Sequence, residues 1–395
     1  MQKHLLKTVF QRFKKGGFTV RFWDGEEVKY GSESSAVTLV LHEPLPASFP
    51  VDDLMLGFGE AYMDEILDIE GSMEDLYSVI VRNEGNISGS GFNTAVAKMI
   101  RAVGSSAAFK HRQKSNIQHH YDLGNDFFSL WLDETLSYSC AYFRQEDDTL
   151  KQAQLNKIDH TLKKLQLQPG QRLLDIGTGW GGLLIRAAQQ YGVQALGITL
   201  SQEQYEGASQ RVRDLGLVDQ VEVRLQDYLD LDSADPFDRV VSVGMFEHVG
   251  RANLPIYMEK VRDLLKPGGL SLLHSIMRVQ EVAVGSWFEK YIFPGGYIPS
   301  VRETVALLPN YGFHLIHAES LRLHYAKTLD HWYANFAEHK DVVEEKFGRR
   351  FVRMWELYLL SCAASFRTTG LDIYQMLFSK GLNNQLEMTL DHVYP

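Results

Sequence analysis

Two groups of residues in this chain suggest chemistry. The first is the run Asp175-Ile-Gly177-Thr-Gly179-Trp-Gly181-Gly182. Glycines at this spacing let a backbone approach a ligand closely and feed it onto a helix N-terminus. Gly177, Gly179 and Gly182 satisfy G-x-G-x-x-G, so a dinucleotide site must be weighed. Such a site wants an acid about 20 residues further on, where it would hold the ribose. That position here reads Ile198-Thr199-Leu200, and the acid stands at Asp175 instead. The second group is dispersed: Cys140 between Tyr138 and Tyr142, then Glu247, His274 and Tyr325. A cysteine in an aromatic nest invites a nucleophilic reading, yet a lone cysteine is more often a small core residue. Taken singly, Glu247 reads as a buried paired acid, His274 as a satisfied core histidine and Tyr325 as a half-buried aromatic. His119, His120, His248 and His274 make a weak metal set, because no cysteine or second carboxylate stands at ligand spacing.

A parallel α/β sheet would position these groups. From residue 172 strand and helix patterns alternate. The spacing predicts strands at Arg172–Ile176, Ala195–Thr199, Val221–Leu225, Arg239–Val243 and Leu270–Ile276. Helices fall at Leu183–Tyr191 and Gln202–Leu215. Ligands of such sheets bind at the carboxyl ends of the strands. The Asp175 loop closes the first strand, and Glu247 and His274 belong to the ends of the fourth and fifth. Upstream, Phe18–Trp23 alternates, Asp24-Gly25 is a hairpin turn and Ala36–Leu41 is another strand. Leu54, Leu56, Tyr62, Ile66 and Leu67 then follow helical spacing. The expected division is a small α+β domain over residues 1–90, a linker over 91–116 and a catalytic domain over 117–395. The linker holds a short helix around Val96, Met99 and Ile100.

Composition narrows the class. The chain has 395 residues, 45% of them hydrophobic and 23% charged, which excludes disorder and collagen as the main architecture. Lys plus Arg is 40 and Asp plus Glu is 50, a net charge of −10. Nucleic acid is therefore not an expected partner, since phosphate affinity rests on Lys and Arg. Two cysteines suit a reducing compartment. No apolar run approaches a membrane span or a signal peptide. Charge is unevenly placed. Lys3, Lys7, Arg12, Lys14 and Lys15 stand without an acid beside Leu5, Leu6, Val9, Phe10 and Phe13 at helical spacing. Such a helix either packs on its own domain or lies in a membrane interface. Residues 51–75 carry only acids, as on a solvated face.

Further motifs widen the picture. They are His120-Tyr-Asp-Leu-Gly-Asn-Asp-Phe-Phe128, Leu136-Ser-Tyr-Ser-Cys-Ala-Tyr-Phe143 and Gly244-Met-Phe-Glu-His-Val-Gly250. Tyr291–Ser300, His324–Trp332 and Phe351–Trp355 follow in order. With the D-x-G-x-G-x-G loop, these resemble the bacterial cyclopropane-fatty-acyl-phospholipid synthases of the mycolic-acid cyclopropane synthase superfamily, over about residues 110–395. The resemblance implies a class I methyltransferase fold: a Rossmann-like, doubly wound α/β sheet with a smaller N-terminal α+β domain. Residues 1–90 match more loosely. Ile69-Glu-Gly-Ser-Met-Glu-Asp-Leu76 also resembles sterol-carrier-like lipid domains.

The resemblance implies methylene transfer from S-adenosylmethionine across a cis double bond of a phospholipid acyl chain. An isolated alkene is a feeble nucleophile, so the donor must be held in line with it. The cation left on the chain needs shelter from water, and a base must remove a proton so that the ring closes. By resemblance that base is a bound bicarbonate. Glu247, His274 and Tyr325 meet it by side chain, and Cys140 and Ile276 by backbone amide. Two anions side by side would repel, so Glu247 beside bicarbonate needs a shared proton or a protonated His274. The cofactor positions implied are Tyr138, Ser139, Asp175, Gly177, Gly179, Trp180, Gly181, Thr199, Leu200, Gln204, Gln226 and Asp227. Thr178 and Met277 depart from residues common in the family. A methyl-branched or hydroxylated acyl product is the alternative outcome. The expected partner is a bilayer with unsaturated acyl chains, met by a cytoplasmic, peripheral homodimer at the inner face of the membrane.

Overall fold

A computed structural model describes residues 2–50, 52–83, 123–281 and 284–394. The expected linker over 91–116, its short helix, and His119 and His120 lie outside the described residues. The chain divides into two compact units. One comprises Met1–Ser105, Ala283–Pro294 and Trp332–Gly370; the other comprises Ser106–Val282, Gly295–His331 and Leu371–Pro395. The first unit thus includes two segments that the sequence reading placed in the catalytic domain.

In the first unit, β1 (Gly17–Arg21), β2 (Glu27–Gly31), β3 (Val37–Leu41) and β4 (Leu67–Gly71) form one sheet in the order β2-β1-β3-β4. Asp24 and Gly25 turn the β1–β2 hairpin, with Gly25 at φ +84°. Asp53 and Ser72 accept backbone N–H bonds at the starts of helices Leu54–Met63 and Met73–Arg82, as short polar side chains do there. The long helix Arg349–Thr368 is tied in by Arg353, whose Nε donates to Tyr62 O at 2.5 Å. Its guanidinium also lies 4.0 Å from the Tyr62 ring centroid. Trp287, Trp332, Phe336, Trp355 and Tyr358 are buried side chains of this unit.

The N-terminal helix Gln2–Phe10 packs on its own domain. Leu6 and Phe10 enter the core beside Phe18, Tyr30 and Phe58. Lys3 pairs with Asp24 and Glu26, and Lys7 with Glu26. Leu6 and Phe10 of the apolar face are thus already used by the core, while Leu5 stays exposed.

In the second unit a seven-stranded sheet runs β10-β11-β9-β8-β5-β6-β7. Its members are β5 (Arg172–Ile176), β6 (Gln194–Thr199), β7 (Val221–Leu225), β8 (Phe237–Val243), β9 (Leu265–Arg278), β10 (Phe313–Ser320) and β11 (Leu371–Lys380). Strands β5 to β9 are parallel neighbours, and β11 and β10 add antiparallel. This is the doubly wound α/β class expected. The chain leaves β5 toward β6 and β7 and later returns to β8 on the other side. That reversal opens a crevice at the carboxyl ends of β5 and β8.

Because Phe10 is 3% exposed and Leu5 53% exposed, the two should differ sharply on truncation. Phe10→Ala should lower unfolding free energy by about 3–5 kcal/mol. Leu5→Ala should stay within about 0.5 kcal/mol. Urea unfolding compares them; the opposite ranking would mean that Phe10 does not serve the core.

Candidate active site

The crevice holds a cavity of about 130 Å³. Tyr138, Ser139, Asp175, Gly177, Gly179, Trp180, Thr199, Leu200, Gln204 and Gln226 line it. Gly181 and Asp227, named with them from the sequence, do not. Gly181 stands just behind, as the N-cap of helix Gly182–Tyr191 at φ +79°, with no side-chain cap. The backbone N–H groups of that helix start are therefore left for a ligand. Asp227 instead accepts from Leu229 N and caps the short turn Tyr228–Asp230.

The local chain explains the glycines. Gly177 has φ +87°, and a Cβ on it would lie 3.0 Å from the Met245 Cβ. Gly179 has φ +57° and open space where a Cβ would stand. A side chain at either position would be strained and would crowd the crevice. Thr199 Oγ1 donates to Gln204 Oε1 at 2.8 Å, where a dinucleotide site would place its acid. Trp180 is buried, and its Nε1 donates to Asn125 Oδ1 at 2.7 Å.

Four of the five expected catalytic positions form two pairs, and His274 stands beside the first. Glu247 Oε1 accepts from Ile276 N at 2.6 Å. The sequence reading gave these two residues separate contacts to an anion; the structure commits the amide to the carboxyl. His274 lies two residues before Ile276 on β9 and is fully buried. The second pair is Cys140 and Tyr325, which share an acceptor. Tyr325 N donates to Leu321 O at 3.0 Å, and Cys140 Sγ lies 3.8 Å from the same oxygen. Ala141 N donates to Thr328 Oγ1 one turn along the helix Arg322–Glu338.

Lys157 was not singled out from the sequence. It lines the cavity, and its buried Nζ donates to Ser139 Oγ at 2.8 Å. Its charge reaches Cys140, Asp175 and His274. It sits on helix Leu150–Lys164, which buries Gln154, Asn156, Lys157, His160 and Lys164. A polar face turned inward gives no amphipathic signal, so periodicity could not have found it.

Burial dominates the electrostatics. It lowers Lys157 to about 8 and raises Asp175 to about 7, each effect partly offset by the other's charge. It holds His274 well below its ordinary value, aided by Lys157 and Lys164. The Cys140 thiol is pushed far upward, so it stays protonated at neutral pH. Glu247 rises to about 7 against the Ile276 hydrogen bond. Among the described residues, Asp175 Oδ1, Glu247 Oε2 and His274 Nε2 belong to the buried side-chain atoms left without a hydrogen-bond partner, as does Thr178 Oγ1 in the cavity lining. Buried polar atoms left open in this way fit a polar ligand.

The shift of Glu247 has a signed consequence. Its folded value of about 7 lies above the ordinary 4.5, so the fold favours the protonated form. That contribution to stability is complete below about pH 4.5 and is lost as pH rises through about 7. Glu247→Gln should remove the loss. Urea midpoints of variant and parent should lie close at about pH 5 and separate by about pH 8, the variant being more stable. Parallel curves would show that Glu247 is ionised throughout.

Known proteins are similar to this chain in sequence and in fold. The profile of the family described as mycolic acid cyclopropane synthetase matches residues 109–376. A domain of unknown function matches residues 5–90. A probable fatty acid methyltransferase of Pseudomonas putida is 37% identical over 91% of both chains. The cyclopropane-fatty-acyl-phospholipid synthase of Escherichia coli K12 is 38% identical over 84% of this chain and 85% of its own. Among solved structures, a cyclopropane synthase from Mycobacterium tuberculosis superposes with a TM-score of 0.65 at 36% identity, covering 68% of this chain and 98% of that one. A mycolic acid cyclopropane synthase complexed with SAH and CTAB gives 0.64 at 37% identity, with the same coverage. With the glycine loop, the crevice and these matches together, the chain belongs to the mycolic acid cyclopropane synthetase family of S-adenosylmethionine-dependent enzymes.

Proposed function

We propose that this enzyme adds a methylene from S-adenosylmethionine across the cis double bond of an unsaturated phospholipid acyl chain, with bicarbonate as the general base. The observation that carries the reading is the pair of buried, unpartnered atoms Glu247 Oε2, just after β8, and His274 Nε2, within β9. When bound, S-adenosylmethionine supplies an electrophilic methyl group and bicarbonate a proton acceptor. Tyr138, Ser139, the Gly177–Gly181 loop, Thr199 and Gln204 would hold the cofactor. A Glu247 carboxyl near 7 is protonated often enough to donate to a neighbouring anion, which removes the repulsion between two anions. His274, held neutral, need not carry that proton. Cys140, held as a thiol, is not a nucleophile here.

A lipid methyltransferase is the second reading, favoured by the name of the Pseudomonas putida relative. The products differ in mass or in what becomes of the alkene. Cyclopropanation adds CH2 and consumes the alkene. Methyl transfer followed by proton loss adds CH2 but leaves a branched alkene, which gains two further hydrogens only from a separate hydride donor, and a hydroxylated product adds CH2 and water.

Lipid contact is assigned to the first unit. Arg12, Lys14 and Lys15 remain exposed there, each worth about 1 kcal/mol near an anionic surface. The unit also encloses an apolar cavity of about 290 Å³, lined by Phe10, Phe13, Phe58, Met73, Leu76 and Trp287 among others. Met73 and Leu76 belong to the segment that resembles sterol-carrier-like domains. No helix of the described residues is long and apolar enough to cross a membrane. Attachment is peripheral, at the inner face of the cytoplasmic membrane, and a homodimer would strengthen it by avidity.

Incubation with labelled cofactor and unsaturated phospholipid vesicles should yield acyl chains heavier by one CH2 and lacking the double bond. An unchanged acyl profile would sink the proposal, and a gain of CH2 with the alkene retained, or of CH2 plus water, would select the second reading. Glu247→Ala should cut turnover about 10²- to 10⁴-fold, the usual worth of acid–base catalysis, with cofactor binding retained. Cys140→Ser should keep most of the activity; its complete loss in a folded variant would restore the nucleophile. For the first unit, charge reversal at Arg12, Lys14 and Lys15 should weaken pelleting with anionic vesicles. Leu76→Trp, which fills the cavity, should lower uptake of a fluorescent fatty acid. Unchanged pelleting and uptake would move lipid contact out of this unit.

A further inference from the structure

His274 has a cross-strand neighbour that the reaction does not yet use. Register places Gln375 of β11 directly opposite His274 of β9, and Glu319 of β10 directly opposite Gln375. The row Glu319, Gln375, His274 therefore crosses three strands. Lys164, the last residue of helix Leu150–Lys164, fills the space beside it with a side chain that has no exposed surface.

The hydrogen bonds in this row leave one arrangement. Lys164 Nζ is paired with Glu319 Oε2 and also donates to Gln375 Oε1 at 2.8 Å. An ammonium can only donate, so it fixes which end of the Gln375 amide is oxygen. The amide nitrogen then has two hydrogens and two neighbours, Thr161 Oγ1 at 3.1 Å and His274 Nδ1 at 3.1 Å. Thr161 Oγ1 gives its own hydrogen to Lys157 O at 2.8 Å, so toward Gln375 it accepts. His274 Nδ1 must likewise accept. A reversed amide would turn donors onto the ammonium and its oxygen onto an acceptor. A neutral ring whose Nδ1 accepts carries its one hydrogen on Nε2. That Nε2 is the atom left buried and unpartnered.

We propose that Gln375, clamped by Lys164 and Glu319, is a positioning residue that fixes His274 as its Nε2–H tautomer, so that His274 offers the site a hydrogen-bond donor and not a base. The clamp also opposes the doubly protonated ring, because a hydrogen on Nδ1 would meet the amide hydrogen. The charged and titratable groups around the ring act in the same sense on balance. Burial, Lys157, Lys164 and His160 all disfavour a charged His274, and Glu319 alone among these opposes them. Glu319 itself is held down at about 2 by His160 and Lys164 despite burial, so the far end of the row stays anionic. The consequence for turnover rests on the function proposed above; the state of the ring does not.

The full-length chain labelled with ¹⁵N-histidine tests this by two-bond ¹H–¹⁵N correlation near neutral pH, with His274 assigned from its absence in His274→Gln. The expected pattern is an unprotonated Nδ1 and a protonated Nε2. A ring protonated on Nδ1, alone or together with Nε2, overturns the proposal with no variant required. In Gln375→Glu the new carboxylate accepts from Nδ1–H, so the pattern should reverse or the ring should become doubly protonated. Retention of the parental pattern in a folded Gln375→Glu overturns the clamp. Turnover in this variant should fall about 10- to 100-fold, as for other outer partners of functional histidines, while cofactor affinity changes less than about twofold. Full turnover with a reversed ring would overturn the donor role. The ring spectrum is read without substrate, so failure of the cyclopropanation reading and failure of the clamp give separate results.

Discussion

Exclusion of water is the constraint on which this site depends. Asp175, Glu247, Lys157, His274 and Cys140 are all displaced by burial toward their uncharged forms. At neutral pH Lys157, lowered only to about 8, keeps most of its charge, Asp175 and Glu247 near 7 are partly protonated, and His274 and Cys140 are neutral. In such surroundings any charge that develops on a substrate is felt strongly, because little solvent screens it. Cation chemistry on an apolar chain requires that setting. The charges at Glu319 and Lys164 are paired with each other, with Glu319 two strands from the ring they influence.

Strand β9 links the fold to this chemistry. It carries His274 and Ile276 two residues apart, so one pleat serves an imidazole and an amide that holds Glu247. On one side β8 delivers the Gly244–Gly250 segment, with Gly244 N bonded to His274 O at 2.9 Å. On the other, β11 brings Gln375 into register. The antiparallel pair β11 and β10 therefore does more than extend a parallel sheet: it carries a polar row up to the site.

Much of this was legible in the residues. Short apolar runs bounded by turn residues, the mark of buried parallel strands, located β5 to β8 to within about two positions, while β9 begins five residues before its expected start. The Asp175–Gly182 glycines announced a ligand loop because positive φ is costly for any other residue. Less visible were Lys157, Lys164 and Gln375, whose polar side chains carry no local signal of burial. Their roles arise from partners 155 or more residues away for Lys164 and 101 for Gln375 with His274, which no local window contains. The N-terminal helix was ambiguous for a related reason. Its basic face and apolar face are compatible with lipid or with core, and only Asp24 and Glu26 across the hairpin decide between them. The division into units was hidden too, since helix Arg349–Thr368 has the pattern of any buried helix and nothing in it names its partner.

That division governs the order in which the chain can mature. Arg353 closes onto Tyr62 across 291 residues, and its Nη2 reaches Leu67 O across 286. During synthesis, the first sheet emerges early but waits for a helix made near the end. The strands of the second unit up to β9 leave the ribosome in the meantime. Closing so long a loop adds an entropic cost that grows only logarithmically with its length, so the finished unit loses little stability. The delay is kinetic. Until residue 370 is made, the apolar side chains of the first unit lack the surface that later covers them, and that interval is when the chain is most exposed to aggregation.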